Sequence, residues 1–355
     1  NVSVDGGTIK LDGNYPVGSD NVALGNTALD SNVSGVRITA IGSQALTANT
    51  ASDNTAIGAR AMASTTSGAN NVAVGRDSMF TNSTGAENVS VGLNTMYYNT
   101  TGANNTALGR SALQSNTTAS NNTAVGYEAL KDNTTGVNNT AVGSLSAQNN
   151  TTGARNVSMG QASLATNTTG SNNIALGYAA LYTNSSGASN VAVGTNALSL
   201  STVSDNTAVG FSALEVNTTG RINTAVGKNS MIANTTGGDN SAFGGLTLDA
   251  NTTGNSNTAL GYASLSANTT ANNNTAVGSL ALHSNTTASE STAVGYQSLY
   301  NSNAADNTAI GTQSQKNTTS GSNNTSVGAG SSYGNTTGSY NTSLGRSALQ
   351  NNTTA

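Results

Sequence analysis

The sequence repeats a five-residue phrase that ends in glycine, and this repeat restricts the possible folds more than any other feature. Asn122–Gly126, which reads Asn-Thr-Ala-Val-Gly, is one of 20 copies. Most successive glycines are 17 residues apart, as Gly126 and Gly143 are, and three steps are 16 residues long. The glycines are Gly25, Gly42, Gly58, Gly75, Gly92, Gly109, Gly126, Gly143, Gly160, Gly177, Gly194, Gly210, Gly227, Gly244, Gly261, Gly278, Gly295, Gly311, Gly328 and Gly345. Such a regular period indicates a stack of similar units, each of which contacts its neighbours.

Residues alternate within the phrase in the way that is typical of a β-strand. The second position is β-branched in most copies, the third is always Ala or Ser, and the fourth is always apolar. A second apolar position follows four residues after the glycine and is Leu or Met in 17 of 20 copies. A polar turn of the type Asn-Thr-Thr-Gly comes next, with a glycine at which we expect a positive φ. Each copy therefore predicts two short strands joined by turns.

These units predict an all-β fold, a parallel β-solenoid (β-roll) of about 20 coils with about 17 residues per coil. We expect residues 1–20 to form an N-terminal cap or linker and residues 21–355 to form one continuous repeat array. The Asn at the start of nearly every phrase is expected to stack on its equivalents and form an amide ladder. Both apolar positions of each copy should line the core, which we represent by Leu108, Val125, Val142, Leu113, Leu130 and Leu164.

The three short steps have a feature in common. In each, an Asp stands directly before the Asn of the phrase, at Asp53, Asp205 and Asp306. An Asp side chain can bond to its own backbone and close a tight turn. We therefore interpret the short steps as deletions of a single position at a turn that Asp closes.

The composition argues against most kinds of chemistry. Charged residues make up 7% of the chain, the net charge is −4, and there is one His and no Cys. We expect no nucleic-acid partner, because no basic face is present, and no membrane insertion, because no long apolar run exists. His283 is expected at a solvated turn, and the carboxylates are scattered. The prediction is a protein that is not an enzyme and has no cofactor and no metal site.

Asparagine and threonine in the turns allow two further interpretations. Asn133, Asn167 and Asn251 each begin an Asn-Thr-Thr sequon and are candidate glycosylation sites. The alternative is that they are chosen for turns and ladders. Rows of outward Thr would also suit an ice-binding surface, and the Tyr residues could stack on sugars.

The phrases "NTAVG", "NVSVG" and "NTAIG" resemble the head repeats of trimeric autotransporter adhesins, which have a phrase of the type Ser-Val-Ala-Ile-Gly. Residues 257–278 are more similar still to repeats of phage tail-fibre and other virion structural proteins. The resemblance covers residues 21–355 and implies a trimer of parallel β-rolls. It places Ala107, Ala124 and Ala141 at the trimer axis, with Val125 and Leu108 inside each roll. The adhesin repeat is shorter than the repeat of this chain, so the outline of the coil must differ.

Together these features predict a non-enzymatic structural fibre, the rigid shaft of a phage tail fibre or similar virion appendage that supports attachment to a host surface. The alternatives are a bacterial surface adhesin or glycosylated extracellular filament and, as a minor one, an ice-binding solenoid. The expected partners are further copies of the chain, as a homotrimer or filament, and a host-cell surface or its glycans. The expected location is a virion appendage, the extracellular space or a cell surface.

Overall fold

β-strands are the only regular secondary structure in residues 18–354, the part of the chain that the computed structural model describes. Most of the expected N-terminal cap, residues 1–17, lies outside the described residues, as does residue 355. The described chain forms two compact units, the first ending at Asn173 and the second beginning at Ile174. Each unit is a parallel β-solenoid, so the predicted fold class is confirmed.

Twenty strands of three residues each lie at the predicted phrases. The first unit contains β1 Val22–Leu24, β2 Thr39–Ile41, β3 Thr55–Ile57, β4 Val72–Val74, β5 Val89–Val91, β6 Thr106–Leu108, β7 Thr123–Val125, β8 Thr140–Val142 and β9 Val157–Met159. The second unit contains β10 Ile174–Leu176, β11 Val191–Val193, β12 Thr207–Val209, β13 Thr224–Val226, β14 Ser241–Phe243, β15 Thr258–Leu260, β16 Thr275–Val277, β17 Thr292–Val294, β18 Thr308–Ile310, β19 Thr325–Val327 and β20 Thr342–Leu344.

Within each unit, neighbouring strands along the chain pair in parallel with one another. In the first unit, Ala124 of β7 lies opposite Ala141 of β8. In the second unit, Ala225 of β13 lies opposite Ala242 of β14. Equivalent positions therefore form columns along each unit, at the spacing of about 4.8 Å that separates neighbouring strands.

The coil contains one strand, and the second predicted strand does not exist. The segment after the glycine of the phrase is a turn, in which the core Leu130 has a φ of 49°. The pattern could not reveal this, because an apolar residue four positions after the glycine of the phrase is compatible with a strand or with a turn that points inward.

Each coil bends at three left-handed corners, and all but one of these corners are formed by residues other than glycine. In one coil they are Asn121, Glu128 and Leu130, with φ values of 61°, 54° and 49°. The same three positions are left-handed in all 20 coils, and Gly330 is the one glycine among them. A left-handed residue costs about 1–2 kcal/mol when it is not glycine. This repeated cost requires compensation from contacts between coils.

Backbone hydrogen bonds to both neighbouring coils provide that compensation. The amide of Glu128 donates to the carbonyl of Arg110 in the preceding coil at 3.0 Å, and the amide of Leu130 donates to Ser146 in the following coil at 3.0 Å. The corner conformations thus direct the amides of Glu128 and Leu130 to opposite sides of the coil. A single coil could not satisfy these groups, so the stack stabilises the strained corners.

The short coils lose their residue within the Asn-Thr-Thr-Gly turn. In a coil of full length the Asn133 amide reaches the carbonyl of Gly136, three positions later, whereas the Asn49 amide reaches Ala51, two positions later, at 2.7 Å. Asp53 has a φ of 63°, close to the 59° of Asn138 in a coil of full length. The deletion at a turn is confirmed, but Asp does not close it. Asp occupies the same left-handed corner that Asn occupies elsewhere.

Asp53 also forms an ion pair on the surface. Arg37 donates from Nε to Asp53 Oδ1 at 2.6 Å and from Nη2 to Oδ2 at 2.8 Å. The hydrogen bond from Arg37 is the main reason that the pKa of Asp53 is lowered. The pair joins two adjacent coils, so the ionised form of Asp53 favours the folded stack.

Because the pKa of Asp53 is lowered in the folded protein, its contribution to stability is present above the pKa of the unfolded chain. That contribution is lost as the pH falls through the folded pKa. We expect Arg37→Gln to raise the pKa of Asp53 toward the ordinary value for Asp. An NMR titration of the Asp53 carboxyl carbon measures this. Arg155→Gln, which removes an Arg that bonds Asn172, is the control and should leave the Asp53 titration unchanged.

Ile222 allows a direct test of the corner strain. It is a β-branched residue with a φ of 58° and 62% exposure, at a corner that is Asn in several other coils. Ile222→Asn should raise the free energy of unfolding by about 1 kcal/mol, because Asn tolerates the left-handed region better. Chemical denaturation measures the change. Ile222→Val keeps the β-branch and should give no gain, and equal stabilities for the Asn and Val variants would contradict the strain.

Candidate functional site

The interior of each coil is narrow and partly polar. In the coil that begins at Asn122, the side chains of Asn122, Ala124, Ala129, Leu130 and Asn133 are all fully buried. Leu130 is the only large apolar side chain among them. Two of the five are amides, so hydrogen bonding inside the coil is as necessary to the structure as apolar packing.

The first asparagine of the phrase connects three coils. Asn122 Oδ1 accepts from the backbone amide of Asn139 in the next coil at 2.9 Å, and the Asn122 backbone amide donates to Asn105 Oδ1 in the preceding coil at 2.9 Å. Asn122 Nδ2 donates to the carbonyl of Gly136 across its own coil at 2.9 Å. This residue therefore closes the coil and stacks it.

The asparagine of the turn forms a second ladder, which runs from side chain to side chain. Asn133 Nδ2 donates to Asn116 Oδ1 at 3.1 Å, and Asn133 Oδ1 accepts from Asn150 Nδ2 at 2.8 Å. Asn133 Nδ2 also donates to Gly136 at 2.9 Å, so the Gly136 carbonyl accepts two amide groups. The predicted amide ladder is therefore present at the start of the phrase, and the turn adds a second one.

Gly136 has a steric role rather than the positive φ that the sequence suggested. Its φ is outside the left-handed region, whereas a Cβ built on it would lie 2.3 Å from the Gly153 carbonyl oxygen and 2.6 Å from Asn133 Oδ1. Ala119 occupies the equivalent position of the preceding coil, so the stack accommodates one methyl group there. Larger side chains would displace the turn asparagine from its ladder.

The three candidate glycosylation sites do not fit the folded coil. Asn133, Asn167 and Asn251 are fully buried. The Nδ2 atom of each, to which a glycan would attach, donates to a neighbouring Asn and to a turn glycine. A glycan would remove at least one of these bonds and has no room inside the coil. The alternative interpretation, that these residues serve turns and ladders, agrees with the geometry.

The strand orientation is the reverse of the predicted one. Ala107, Ala124 and Ala141 are fully buried inside the coil, so they cannot face a trimer axis. Of the six predicted core residues, Leu113, Leu130 and Leu164 are confirmed as fully buried. Leu108, Val125 and Val142 are not in the core: Leu108 is 46% exposed, Val142 is 37% exposed and Val125 is half-buried.

Limited volume explains this reversal. The core Leu and the two Asn side chains already fill the space behind the strand, so only Ala or Ser fits at the inward third position. The larger second and fourth positions must then point outward. We call these outward side chains the outer strand face of each unit, and they form two columns along it.

Aromatic and basic side chains form a further column beside the core Leu. His283 stacks on Tyr300 with ring centroids 5.0 Å apart, and Lys316 Nζ lies 5.9 Å from the Tyr300 ring centroid and 6.0 Å from that of Tyr333. In the first unit, Phe80 stacks on Tyr97 at 5.1 Å. The ring faces contact neighbouring coils, so these rings cover the stack rather than present a free platform to a sugar.

Ionisable groups form small, separate clusters. His283 takes part in the stack just described, and Glu128 accepts from Gln148 Nε2 at 2.6 Å. Asp77 is buried between Arg60, at 2.7 Å, and Arg76, at 3.1 Å. Within residues 18–354, no three His, Cys, Asp or Glu side chains come together as metal ligands would. The same range contains no helix that could cross a membrane.

Threonine in the turns bonds to the next coil. Thr134 Oγ1 donates to the carbonyl of Thr151 at 3.0 Å, and Thr151 Oγ1 donates to Thr168 at 2.8 Å. These hydroxyl groups serve stacking. This use reduces the support for an ice-binding surface at the turns.

No protein-family model matches the sequence, and no curated protein matches it.

The Asn ladder can be tested at Asn133. Asn133→Ala should lower the free energy of unfolding by about 2–3 kcal/mol, because it removes bonds to three residues and leaves the buried Asn116 and Asn150 amides short of a partner. Chemical denaturation measures this. Thr135→Ala, in the exposed part of the same turn, is the matched control and should cost less than about 0.5 kcal/mol. Similar losses in the two variants would contradict a structural role for the ladder.

Proposed function

We propose that the chain is a non-enzymatic structural fibre, the shaft of a phage tail fibre or similar virion appendage. The observation that carries this proposal is the axial hydrogen-bond system. Within each unit, backbone amides at the corners and strands, together with both Asn ladders, bind neighbouring coils to one another. Bending such a stack would lengthen these bonds along one side, so the arrangement favours stiffness. In this role the shaft holds a receptor-binding tip away from the particle.

Assembly of several copies is part of the proposal. Each coil buries few apolar side chains, and association would add to the burial. We propose a homotrimer or a filament of identical chains, located on a virion appendage or otherwise outside the cell. The resemblance of the repeat phrase to phage tail-fibre and adhesin repeats supports this architecture.

A bacterial surface adhesin is the second candidate. The exposed Tyr178, Tyr262 and Tyr296, which follow the glycine of the phrase, are the observation that favours it. Exposed Tyr rings can stack on sugars of a host surface. The variant of this idea in which the filament is itself glycosylated loses support, because the sequon amides are buried.

Immunogold electron microscopy on particles and cells from the source culture tests the proposal. Antibodies against the recombinant chain should label fibres that project from virus particles, and pre-immune serum should not. Label confined to the surface of bacterial cells would overturn the virion role and favour the adhesin.

A further inference from the structure

We propose that the fourth strand position of the outer face is the surface on which another copy of this chain packs. This inference rests on the proposed fibre, since it names the surface through which copies of the shaft associate. It replaces the Ala positions, which the structure buries inside the coil.

The two columns of the outer strand face differ in a way that strand formation does not explain. The second position is Thr or Ser in 14 of 20 strands, as in Thr123 of β7. The fourth position is aliphatic, Met or Phe in all 20, as in Val125 of the same strand. Thr and Val are both β-branched and both favour strands. A fourth position exposed to water would therefore be expected to accept Thr, as the second position does.

The apolar column is nevertheless accessible in the single chain. Leu108 is 46% exposed, Phe243 is 41% exposed and Leu260 is 49% exposed. A sheet with one solvated face ordinarily places polar residues on that face and apolar ones inside. Here the order is inverted, because small residues fill the inside. The inversion is accounted for if the outer face is covered in the assembled protein.

The area of this face is a large part of what a stable interface requires. A three-residue strand is about 10 Å long and strands lie about 4.8 Å apart, so the eleven strands of the second unit present roughly 500 Å² in projection. The nine strands of the first unit present roughly 400 Å² by the same reckoning. The largest apolar patch on a typical monomer is about 300–600 Å². A stable interface uses about 800 Å² from each partner. Each face alone thus supplies half or more of one partner's share.

The periodicity of the face identifies the partner as a second copy. A matching surface must present side chains at the same interval of about 4.8 Å, and another solenoid of the same sequence does so without adjustment. The second and fourth positions of the 20 described strands contain no charged residue, so the face offers no charge pattern to a different protein. Two such faces can pack at about 10 Å, the usual distance between stacked sheets.

Two strands allow a matched test, because β4 and β5 have Val at both outward positions. The test variant is Val74→Thr with Val91→Thr, in the fourth column. The control variant is Val72→Thr with Val89→Thr, in the second column of the same strands. Thr has nearly the shape of Val, and its hydroxyl costs little in water but much in an apolar interface. Sedimentation velocity of the full chain over a concentration series measures self-association, and circular dichroism checks the fold.

The wild type should associate, and the fourth-column variant should raise the dissociation constant about tenfold or more. The control should change it less than about threefold. Val209→Thr with Val226→Thr repeats the test in the second unit and guards against a local folding defect. A monomeric wild type, or equal weakening by the test and control pairs, would overturn the inference. An associating wild type that ignores the fourth-column changes would place the interface elsewhere while the fibre proposal stands. Absence of immunogold label on virions would remove the fibre role but not this interface.

Discussion

The hydrogen bond that one asparagine amide makes to the next is the interaction on which the rest of the structure depends. An amide side chain donates from one atom and accepts at another, so it can continue a ladder through the interior without a charge. Asn133 bonds Asn116 on one side and Asn150 on the other. A charged residue repeated at every coil would repel its own equivalents at about 4.8 Å. Stacking therefore requires uncharged side chains at these interior positions.

Asparagine also determines what the coil can contain. Two buried amides and one Leu leave room for Ala or Ser, but not for Val, on the inward side of the strand. The larger strand residues must then lie outside, as Val125 and Leu108 do. The outer strand face is thus a consequence of the polar interior. In a chain that stacks through buried amides, the larger apolar strand residues form columns on the outside. Association between copies would bury these columns.

Much of the fold follows from the sequence, and the remainder has physical reasons for being hidden. The period of the repeat, the strand at each phrase and the burial of Leu130 could all be predicted. Alternation in Thr123, Ala124 and Val125 separates two faces of a strand but does not say which is inside; that depends on the volume already filled by Leu and Asn. The expectation that the larger apolar residues lie inside led to the wrong choice, and the resemblance to trimeric repeats implied the same orientation. The left-handed corners have a weak signature in the sequence, because Asn and Asp tolerate this conformation and often stand directly before the phrase, as Asn138 and Asp53 do.

Defects in the ladders show what kind of function such a chain can sustain. Ser201 replaces a turn asparagine and Gln315 replaces a core Leu, and each leaves one buried oxygen without a hydrogen-bond partner. In a stack of similar coils the stability is approximately a sum of contributions from neighbouring pairs, so one weak coil is supported on both sides. A catalytic or metal site would lose its activity with one such substitution. A fibre, or an interface spread along a column, depends on the average over many coils, and the tolerance of single defects is therefore what a structural role predicts.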